Sequence, residues 1–408
     1  MTYQTHTLPN GLRIIYLQKK SEVTFCGITI NAGSRDENRE EEGCAHFAEH
    51  LLFKGTRKKN AREIINRMED IGGELNAYTS KEETVVYAAA MKKYTRRMIE
   101  LMADMTLHCT FPQKELEKER EVILDEIASY HDNPSELIFD DFEELIFKDH
   151  PLGHNILGNA KLLKKMNSES VSNFVKRCYQ PHQMIVFVVG NLNFEHFVKW
   201  CEEYFVSESA ENINEKQKRN PPEQYRAEKL KLKKKTHQIH TVIGNRCFDL
   251  YHPNRLPMYL LNNILGGPGM NSLLNLSLRE KHGLVYTAES NYQPFTDSGW
   301  WCVYYACDER NDEKCEQLVL EQLQKIVDRP LPESKLRKYK QQLIGQMTVS
   351  RENTENLALS LGKSYLRFGK VEEMEEIKKQ LENIQPKDLQ YIAQEIFNEE
   401  QLSVLKYY

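Results

Sequence analysis

The stretch CAHFAEHLLFKG, residues 44–55, predicts a helix that ends at its final glycine. His46 and His50 are four residues apart, so both imidazole rings lie on one face of that helix. Glu49 follows His46 by three residues and lies close to the same face. Two histidines that can bind one ion, beside a carboxylate that takes a proton from the activated water, are typical of a catalytic zinc site. The same letters are also compatible with an ordinary amphipathic helix that carries two surface histidines.

A third ligand has to come from another part of the chain, because a catalytic zinc ion takes three protein ligands and keeps one position open. The predicted helix 113–130 carries Glu119 and Glu126, which are two turns apart and therefore share a face. The apolar residues Leu116 and Ile123 lie near that face. A carboxylate among packing residues needs a partner, and a metal ion would be one. The two glutamates are therefore candidates for completing the site.

The length of 408 residues and a recurring order of elements predict two domains. Each half shows a strand, a charged loop, a helix, a glycine turn, a further helix, a strand pair and a long helix. We expect domains at 1–210 and 229–408, joined by a polar linker at 211–228 that contains two prolines. Residues 257–261, which align with the histidine motif, contain no His or Glu. The second half is therefore expected to repeat the architecture without the metal site.

The composition narrows the class of protein. A formal net charge of −5 argues against nucleic acid as the main partner, because such binders usually carry a basic surface. No run approaches the roughly 18 apolar residues needed to cross a bilayer, and no signal-peptide pattern is visible. The nine cysteines include no CxxC pair, which favours reduced thiols over a disulfide framework. We therefore expect a cytoplasmic protein with no nucleic-acid or membrane partner.

Three motifs carry a resemblance to a known family. The letters NGLR stand at residues 10–13, AGSRDE at 32–37 and HFAEHLLFKGT at 46–56. Together with the glutamate pair they resemble the pitrilysin-like (M16) zinc metallopeptidases, which include insulin-degrading enzyme. Within that family the chain looks like the half-length branch that contains the mitochondrial processing peptidases. The resemblance covers nearly the whole chain.

The resemblance implies both a fold and a set of site residues. The fold is α+β, with two homologous α/β-roll domains whose antiparallel-rich sheets are flanked by helices. The cofactor is Zn²⁺. The family pattern assigns the zinc ligands to His46, His50 and Glu126, the general base to Glu49, and a supporting catalytic role to Glu119.

A substrate-binding edge is implied by the stretch GGELNAYT, residues 72–79. In the family the matching strand lies beside the zinc, and a peptide adds to it as an extra strand through main-chain hydrogen bonds. Asn76, Ala77 and Tyr78 fall on this strand, and Phe53 matches a residue of an apolar pocket near the scissile bond. The alternatives are that the stretch is a plain strand and that Phe53 is a core residue.

A second signature, REKHGLVY at residues 279–286, lies in the second half. It resembles the family pair in which an arginine binds a substrate carbonyl and a tyrosine stabilises the oxyanion. Arg279 and Tyr286 take those places. Without the resemblance, Arg279 would be interpreted as part of a charged surface run and Tyr286 as a residue packed in a sheet.

The resemblance implies a zinc-dependent endopeptidase or oligopeptidase that acts on unfolded or short peptides. A half-length chain has one zinc domain and one Arg–Tyr domain, so a homodimer closing into a clamshell chamber, with sites shared between chains, is the expected assembly. Two alternatives remain. The chain is a processing-peptidase-type subunit that works with an unlike partner, or a non-catalytic scaffold subunit of the same family.

Overall fold

Two β-sheets organise the residues that the computed structural model describes, 3–205 and 219–408. The strands are β1 (Tyr3–Thr7), β2 (Arg13–Gln18), β3 (Val23–Ile30), β4 (Glu74–Thr79), β5 (Thr84–Met91), β6 (Met184–Gly190), β7 (Lys229–Leu232), β8 (Ile239–Cys247), β9 (Val285–Pro294), β10 (Gly299–Cys307) and β11 (Ser403–Tyr407). The helices are α1 (Cys44–Leu52), α2 (Ala61–Glu69), α3 (Thr95–Leu107), α4 (Gln113–His131), α5 (Pro134–Ile146), α6 (Ala160–Leu163), α7 (Ser168–Cys178), α8 (Phe194–Tyr204), α9 (Arg255–Gly266), α10 (Asp312–Asp328), α11 (Glu333–Glu352), α12 (Thr354–Phe368), α13 (Met374–Asn383) and α14 (Pro386–Ile396). A π-helical segment covers Asn275–Lys281.

The two sheets repeat one topology. The first has the order β1-β2-β6-β3-β5-β4, and the second has the order β7-β11-β8-β10-β9. In both, one parallel pair, β2 with β6 or β7 with β11, is followed by antiparallel pairs. Each sheet ends in an edge strand, β4 in the first and β9 in the second. The prediction of a two-domain α/β fold with antiparallel-rich sheets and helices is confirmed.

The first sheet is covered by helices on both faces. On one face α1, α3 and α4 contribute side chains such as Phe47, Met102 and Ile123 to a large apolar core. On the other face, Leu357 and Leu361 of α12 pack against side chains of β2, β5 and β6. Burial on both faces explains why β6, with the sequence MIVFVVG, is apolar throughout instead of alternating.

The second sheet is covered in the same way. Helices α9, α10 and α14 form the core on one face, around the fully buried Trp301 and Tyr305. On the opposite face Ile138 and Phe142 of α5 pack against Trp300. The indole Nε1 of Trp300 also donates a hydrogen bond of 2.7 Å to Glu143 of the same helix.

The division of the chain differs from the expected contiguous domains 1–210 and 229–408. The first unit comprises Met1–Ala128, His154–Arg219 and Val349–Glu373, and the second comprises Ser129–Gly153, Asn220–Thr348 and Met374–Tyr408. Helix α5, which follows the long helix α4 in the first half of the sequence, belongs to the second unit. Helix α12, which follows the long helix α11 in the second half, belongs to the first unit. The reason is burial, because each of these helices covers the outer face of a sheet that its own half does not provide.

The predicted linker at 211–228 falls partly outside the described residues, which resume at position 219. From 219 to 228 the chain forms no helix or strand. Arg219 is fixed to the first unit, because its guanidinium pairs with Asp36 at 2.7 Å. Within the described part of the chain, no helix combines the length and the apolar character needed to span a bilayer.

Candidate metal centre

Helix α1 is fixed at its amino terminus by a buried carboxylate. The Glu37 side chain accepts hydrogen bonds from the backbone N–H groups of Gly43 and Ala45, at 3.0 and 2.7 Å. Gly43 itself has φ 93°, in the left-handed region that favours glycine. Phe47, Ala48 and Leu51 are fully buried, so the opposite face of α1 is held by the core. The helix therefore presents its histidines from a fixed support.

His46, His50 and Glu126 form one group of potential ligands, with one ligand atom of each lying within 4.8 Å of the others. The Glu126 Oε2 lies 3.8 Å from Nε2 of His46 and 3.7 Å from Nε2 of His50. The two imidazole rings are 4.6 Å apart and inclined by 68°. Across residues 3–205 and 219–408, no other group of three His, Cys, Asp or Glu side chains lies close enough together to share an ion.

The arrangement fits a zinc ion. Donors about 2.1 Å from a tetrahedral ion lie roughly 3.4 Å from one another, so separations of 3.7 and 3.8 Å are those of ligands around an ion. Two imidazole nitrogens and one carboxylate are the donor set of several catalytic zinc sites. The Glu126 side chain is 44% exposed, which leaves the group open to solvent on that side.

The electrostatics of His46 favour metal binding. Burial and the neighbouring His50 lower the pKa of His46 to about 3. Its imidazole is therefore neutral at physiological pH, and a neutral ring nitrogen is the form that binds a metal. A lowered pKa reduces the competition between protons and a metal ion for this ligand.

Glu119 orients the second histidine. Its Oε2 lies 3.2 Å from Nδ1 of His50, and its Oε1 lies 2.7 Å from Nζ of Lys54. A carboxylate on Nδ1 fixes the ring so that Nε2 faces the ligand group, as is usual for the outer partners of metal-binding histidines. The sequence predicts Glu119 and Glu126 on one face of their helix. The structure places Glu119 beside the ring of His50 and Glu126 in the ligand group.

Glu49 stands outside the ligand group and is held from the sheet. Its Oε2 accepts a hydrogen bond of 2.7 Å from the Thr79 hydroxyl, at the end of β4. Burial raises the pKa of Glu49, and the hydrogen bond from Thr79 acts in the opposite direction. A partly buried carboxylate next to the ligands, but not among them, has the placement that a general base requires.

The edge strand β4 lies beside α1, and only part of it faces the metal group. Ala77 packs against the core shared with α1, whereas Tyr78 packs against the face covered by α12. Asn76 is exposed, and Thr79 is the residue that contacts Glu49. Among the strands that the structure describes, β4 pairs with β5 alone, so the other side of its backbone forms no strand pairing there.

The remaining predicted residues fall in two places. Phe53 follows α1 directly and packs against the first core. These contacts are those of a packing residue, which was the alternative interpretation. Arg279 and Tyr286 lie in the second unit, where the Arg279 Cζ is 5.3 Å from the centre of the Tyr286 ring. The tyrosine is 81% exposed, and both line a groove of about 490 Å³ beside β9.

Sequence reasoning missed three residues that hold the site. Thr79 positions Glu49, Lys54 contacts Glu119, and Glu37 fixes the start of α1. Lys54 lies four residues after His50, a spacing that could have indicated a shared face. The other two contacts join distant segments and leave no local pattern.

Comparison with known families matches two adjoining regions. The model described as Insulinase (Peptidase family M16) matches residues 13–160, and the model described as Peptidase M16 inactive domain matches residues 165–343. The first region contains His46, His50 and Glu126, and the second contains Arg279 and Tyr286.

Relatives of similar length cover almost all of the chain. The uncharacterized zinc protease YmxG of Bacillus subtilis is 32% identical over 97% of this chain and 96% of its own length. An uncharacterized zinc protease of Rickettsia bellii is 30% identical over 97% of this chain and 95% of its own length.

Solved structures share the fold at low sequence identity. A protease from Helicobacter pylori covers 100% of this chain and 99% of its own, with a TM-score of 0.92 and 22% identity. A peptidase M16 inactive domain from Pseudomonas fluorescens covers 100% and 98%, with a TM-score of 0.90 and 17% identity. At these identities the similarity shows the fold alone.

Proposed function

The chain belongs to the M16 family of peptidases, and from this premise we propose that it is a zinc-dependent endopeptidase or oligopeptidase acting on short or unfolded peptides. One observation carries the proposal: His46, His50 and Glu126 bring ligand atoms within 4.8 Å of one another. Zinc bound there would supply the Lewis acid that activates water and polarises the scissile carbonyl.

In this proposal Glu49 moves the proton. Its carboxylate takes a proton from the attacking water and passes it to the nitrogen of the leaving amine. The hydroxyl of Thr79 holds the Glu49 side chain next to the ligands, and the Glu119 carboxylate fixes the orientation of the His50 ring. Glu119 therefore acts through His50 as a positioning residue.

The substrate is proposed to bind as an added strand on β4. The free side of this edge strand provides main-chain hydrogen bonds that do not depend on substrate sequence, which suits a peptidase with many substrates. Asn76, Ala77 and Tyr78 would contribute chiefly their backbone groups, since their side chains point to alternate faces. Phe53 is retained as a candidate wall of the pocket for the residue next to the scissile bond.

Arg279 and Tyr286 complete the proposed machinery from a second copy of the chain. Each chain carries one ligand group and one Arg–Tyr pair, in different units. An exposed tyrosine hydroxyl and a guanidinium side by side are suited to an oxyanion and a substrate carbonyl. A homodimer that encloses the substrate and shares two sites is the proposed assembly.

The proposed compartment is reducing, as in the cytoplasm. The nine cysteines, all at described positions, are free thiols. Free cysteines in this number are usual where glutathione and thioredoxin keep thiols reduced.

The decisive test is the change Glu49→Gln. We expect the variant to bind one zinc per chain as tightly as the unmodified protein and to lose cleavage of a mixed peptide library by a factor of at least about 1,000. Metal analysis and mass spectrometry of the products measure the two results. Glu69→Gln, an exposed position on α2, is the matched control and should keep full activity. Full activity of the Glu49→Gln protein would reject the proposed role of Glu49.

A further inference from the structure

A groove of about 730 Å³ is lined by residues that directly follow the metal helix in the chain, and half of its lining residues are basic. Its walls are residues 54–62 and the segment 110–118, which includes the start of α4. The basic side chains that join Lys54 in this lining are Arg57, Lys58, Lys59, Arg62, Lys114 and Lys118. We call this feature the basic groove.

The loop that presents these charges is held firmly. The backbone N–H of Thr56 donates to the carbonyl of Lys59, and the N–H of Arg57 donates to the carbonyl of His108. The Thr56 hydroxyl is bonded to the buried Asp104 at 2.8 Å. Isolated antiparallel β-bridges, Gly55 with Asn60 and Thr56 with Cys109, fix the loop on both sides. A ligand would therefore meet a preformed site, which reduces the entropy lost on binding.

The charges in the basic groove are only partly balanced. Lys59 pairs with Glu100 and Asp104, Lys118 pairs with Glu115, and Lys54 pairs with Glu119. Lys58 and Arg62 are exposed and form no ion pair with any carboxylate among the described residues. A surface on which positive groups outnumber their partners attracts negatively charged ligands.

The basic groove is joined to the metal group by two contacts. Lys54 lies in its lining and also binds Glu119, and Glu119 in turn binds the ring of His50. Both features belong to the first unit, and the groove begins four residues after His50. The two contacts that join Lys54 to His50 measure 2.7 and 3.2 Å. An extended peptide advances about 3.3 Å per residue, so a few residues are enough to span these contacts.

We infer that the basic groove binds an acidic segment of the peptide substrate, an inference that rests on the proposed peptidase function. Carboxylates of the substrate pair with Lys58 and Arg62, which form no ion pair within the part of the chain that the structure describes. The contact adds affinity outside the edge strand β4 and favours peptides that carry an acidic run at one end. The pairs are exposed, so salt weakens them. At physiological ionic strength, charges in water are screened from one another beyond about 8 Å.

Binding is tested in the full-length Glu49→Gln chain, so that the result does not depend on whether the enzyme cleaves. Two labelled peptides are compared by fluorescence anisotropy. They are identical except for a terminal run of glutamate in one and glutamine in the other, and each is prepared with the run at either end. With the run at one of the two ends, we expect the glutamate peptide to bind about tenfold more tightly than the matching glutamine peptide at low salt. At high salt this advantage should shrink about threefold or more.

Charge reversal localises the effect. In the same background, Lys58→Glu with Arg62→Glu should remove the preference for glutamate. Lys20→Glu with Lys370→Glu changes the net charge equally at exposed positions of the same unit and should keep the preference. Lys58→Gln with Arg62→Gln provides a milder pair if the reversed protein is unstable. Equal affinity for both peptides, or equal losses in the groove and control variants, would overturn the inference.

Discussion

Oε2 of Glu119 lies 3.2 Å from Nδ1 of His50, and the other oxygen of the same carboxylate lies 2.7 Å from the ammonium of Lys54. The three side chains form a chain of contacts that ends at the ligand group. Since the Glu119 side chain is only 10% exposed, its charge is shielded from water and is balanced by Lys54. The orientation of His50 therefore depends on residues that do not touch the proposed metal.

Removal of this support should weaken metal binding. We expect Glu119→Ala to lower zinc affinity about 10- to 100-fold, the usual range for outer partners of metal-binding histidines. Lys54→Met should have a smaller effect in the same direction, because it leaves Glu119 in place without its counter-charge. Competition with a chromophoric chelator measures both. Glu115→Gln on the same helix is the control, and a Glu119→Ala protein with unchanged affinity would contradict the positioning role.

The hydroxyl of Thr79 should matter for rate and not for metal binding. Thr79→Val keeps the shape of the side chain but removes the hydrogen bond to Glu49, so Glu49 becomes less well positioned. We expect kcat to fall about tenfold while zinc content and KM stay near their original values. Thr79→Ser restores the hydroxyl and should recover most of the rate. If the valine variant is as fast as the serine variant, the contact has no role in catalysis.

The shared site predicts complementation between two inactive chains. A Glu49→Gln chain keeps Arg279 and Tyr286, and an Arg279→Ala/Tyr286→Phe chain keeps the ligand group and Glu49. With equal amounts and free exchange, half of the dimers are mixed and each has one intact site, so about one quarter of the original activity should return. Native mass spectrometry establishes the exchange. Complete exchange without recovered activity would exclude sites built from two chains.

The pH dependence of stability should reveal the attachment of α12 to the first sheet. Burial alone would raise the pKa of Glu83, but Arg367 and Lys363 of α12 outweigh it and lower the pKa to about 2. The folded pKa lies below the ordinary value of 4.5, so the stabilisation is complete above pH 4.5 and is lost as the pH falls towards 2. The shift corresponds to about 3 kcal/mol.

Urea unfolding between these pH values tests this expectation. In Glu83→Gln, the free energy of unfolding should be lower above pH 4.5 and should change less on acidification. Glu69→Gln, at an exposed position, should follow the unmodified protein. Equal slopes in all three proteins would show that Glu83 is not the group responsible.

The histidine motif could be predicted in detail because its geometry is local. A spacing of four residues places two rings on one face of any helix. The helix ends at Leu52, three residues before the glycine at which the sequence predicts its end. The repeat of the two halves was visible for a related reason, since each half contains the same order of periodic segments. These features depend on neighbours in the chain, and the structure forms a helix at both predicted places, α1 and α4.

The division into units could not be predicted in this way. The helix α5 follows α4 after a short turn, yet its apolar face packs on the second sheet, and α12 packs on the first. Nothing in their own sequences distinguishes the two sheets, because an apolar stripe specifies that a helix is buried but not against which surface. The strand β4 presents the same difficulty. Its side chains alternate between the two faces of the sheet, but this alternation does not show which face lies towards the metal group.

The amino-acid sequence was sufficient for the parts of the site that one helix can hold: His46 and His50 on a common face, with Glu49 beside them. Spacing and the family pattern had already made Glu126 and Glu119 candidates. Their placement, Glu126 in the ligand group and Glu119 on the ring of His50, is decided by the packed structure, as is the contact of Thr79 with Glu49. The physical reason is distance along the chain. A helical repeat fixes side chains a few residues apart, whereas contacts between α1, α4 and β4 exist only because these elements are buried together against the same core.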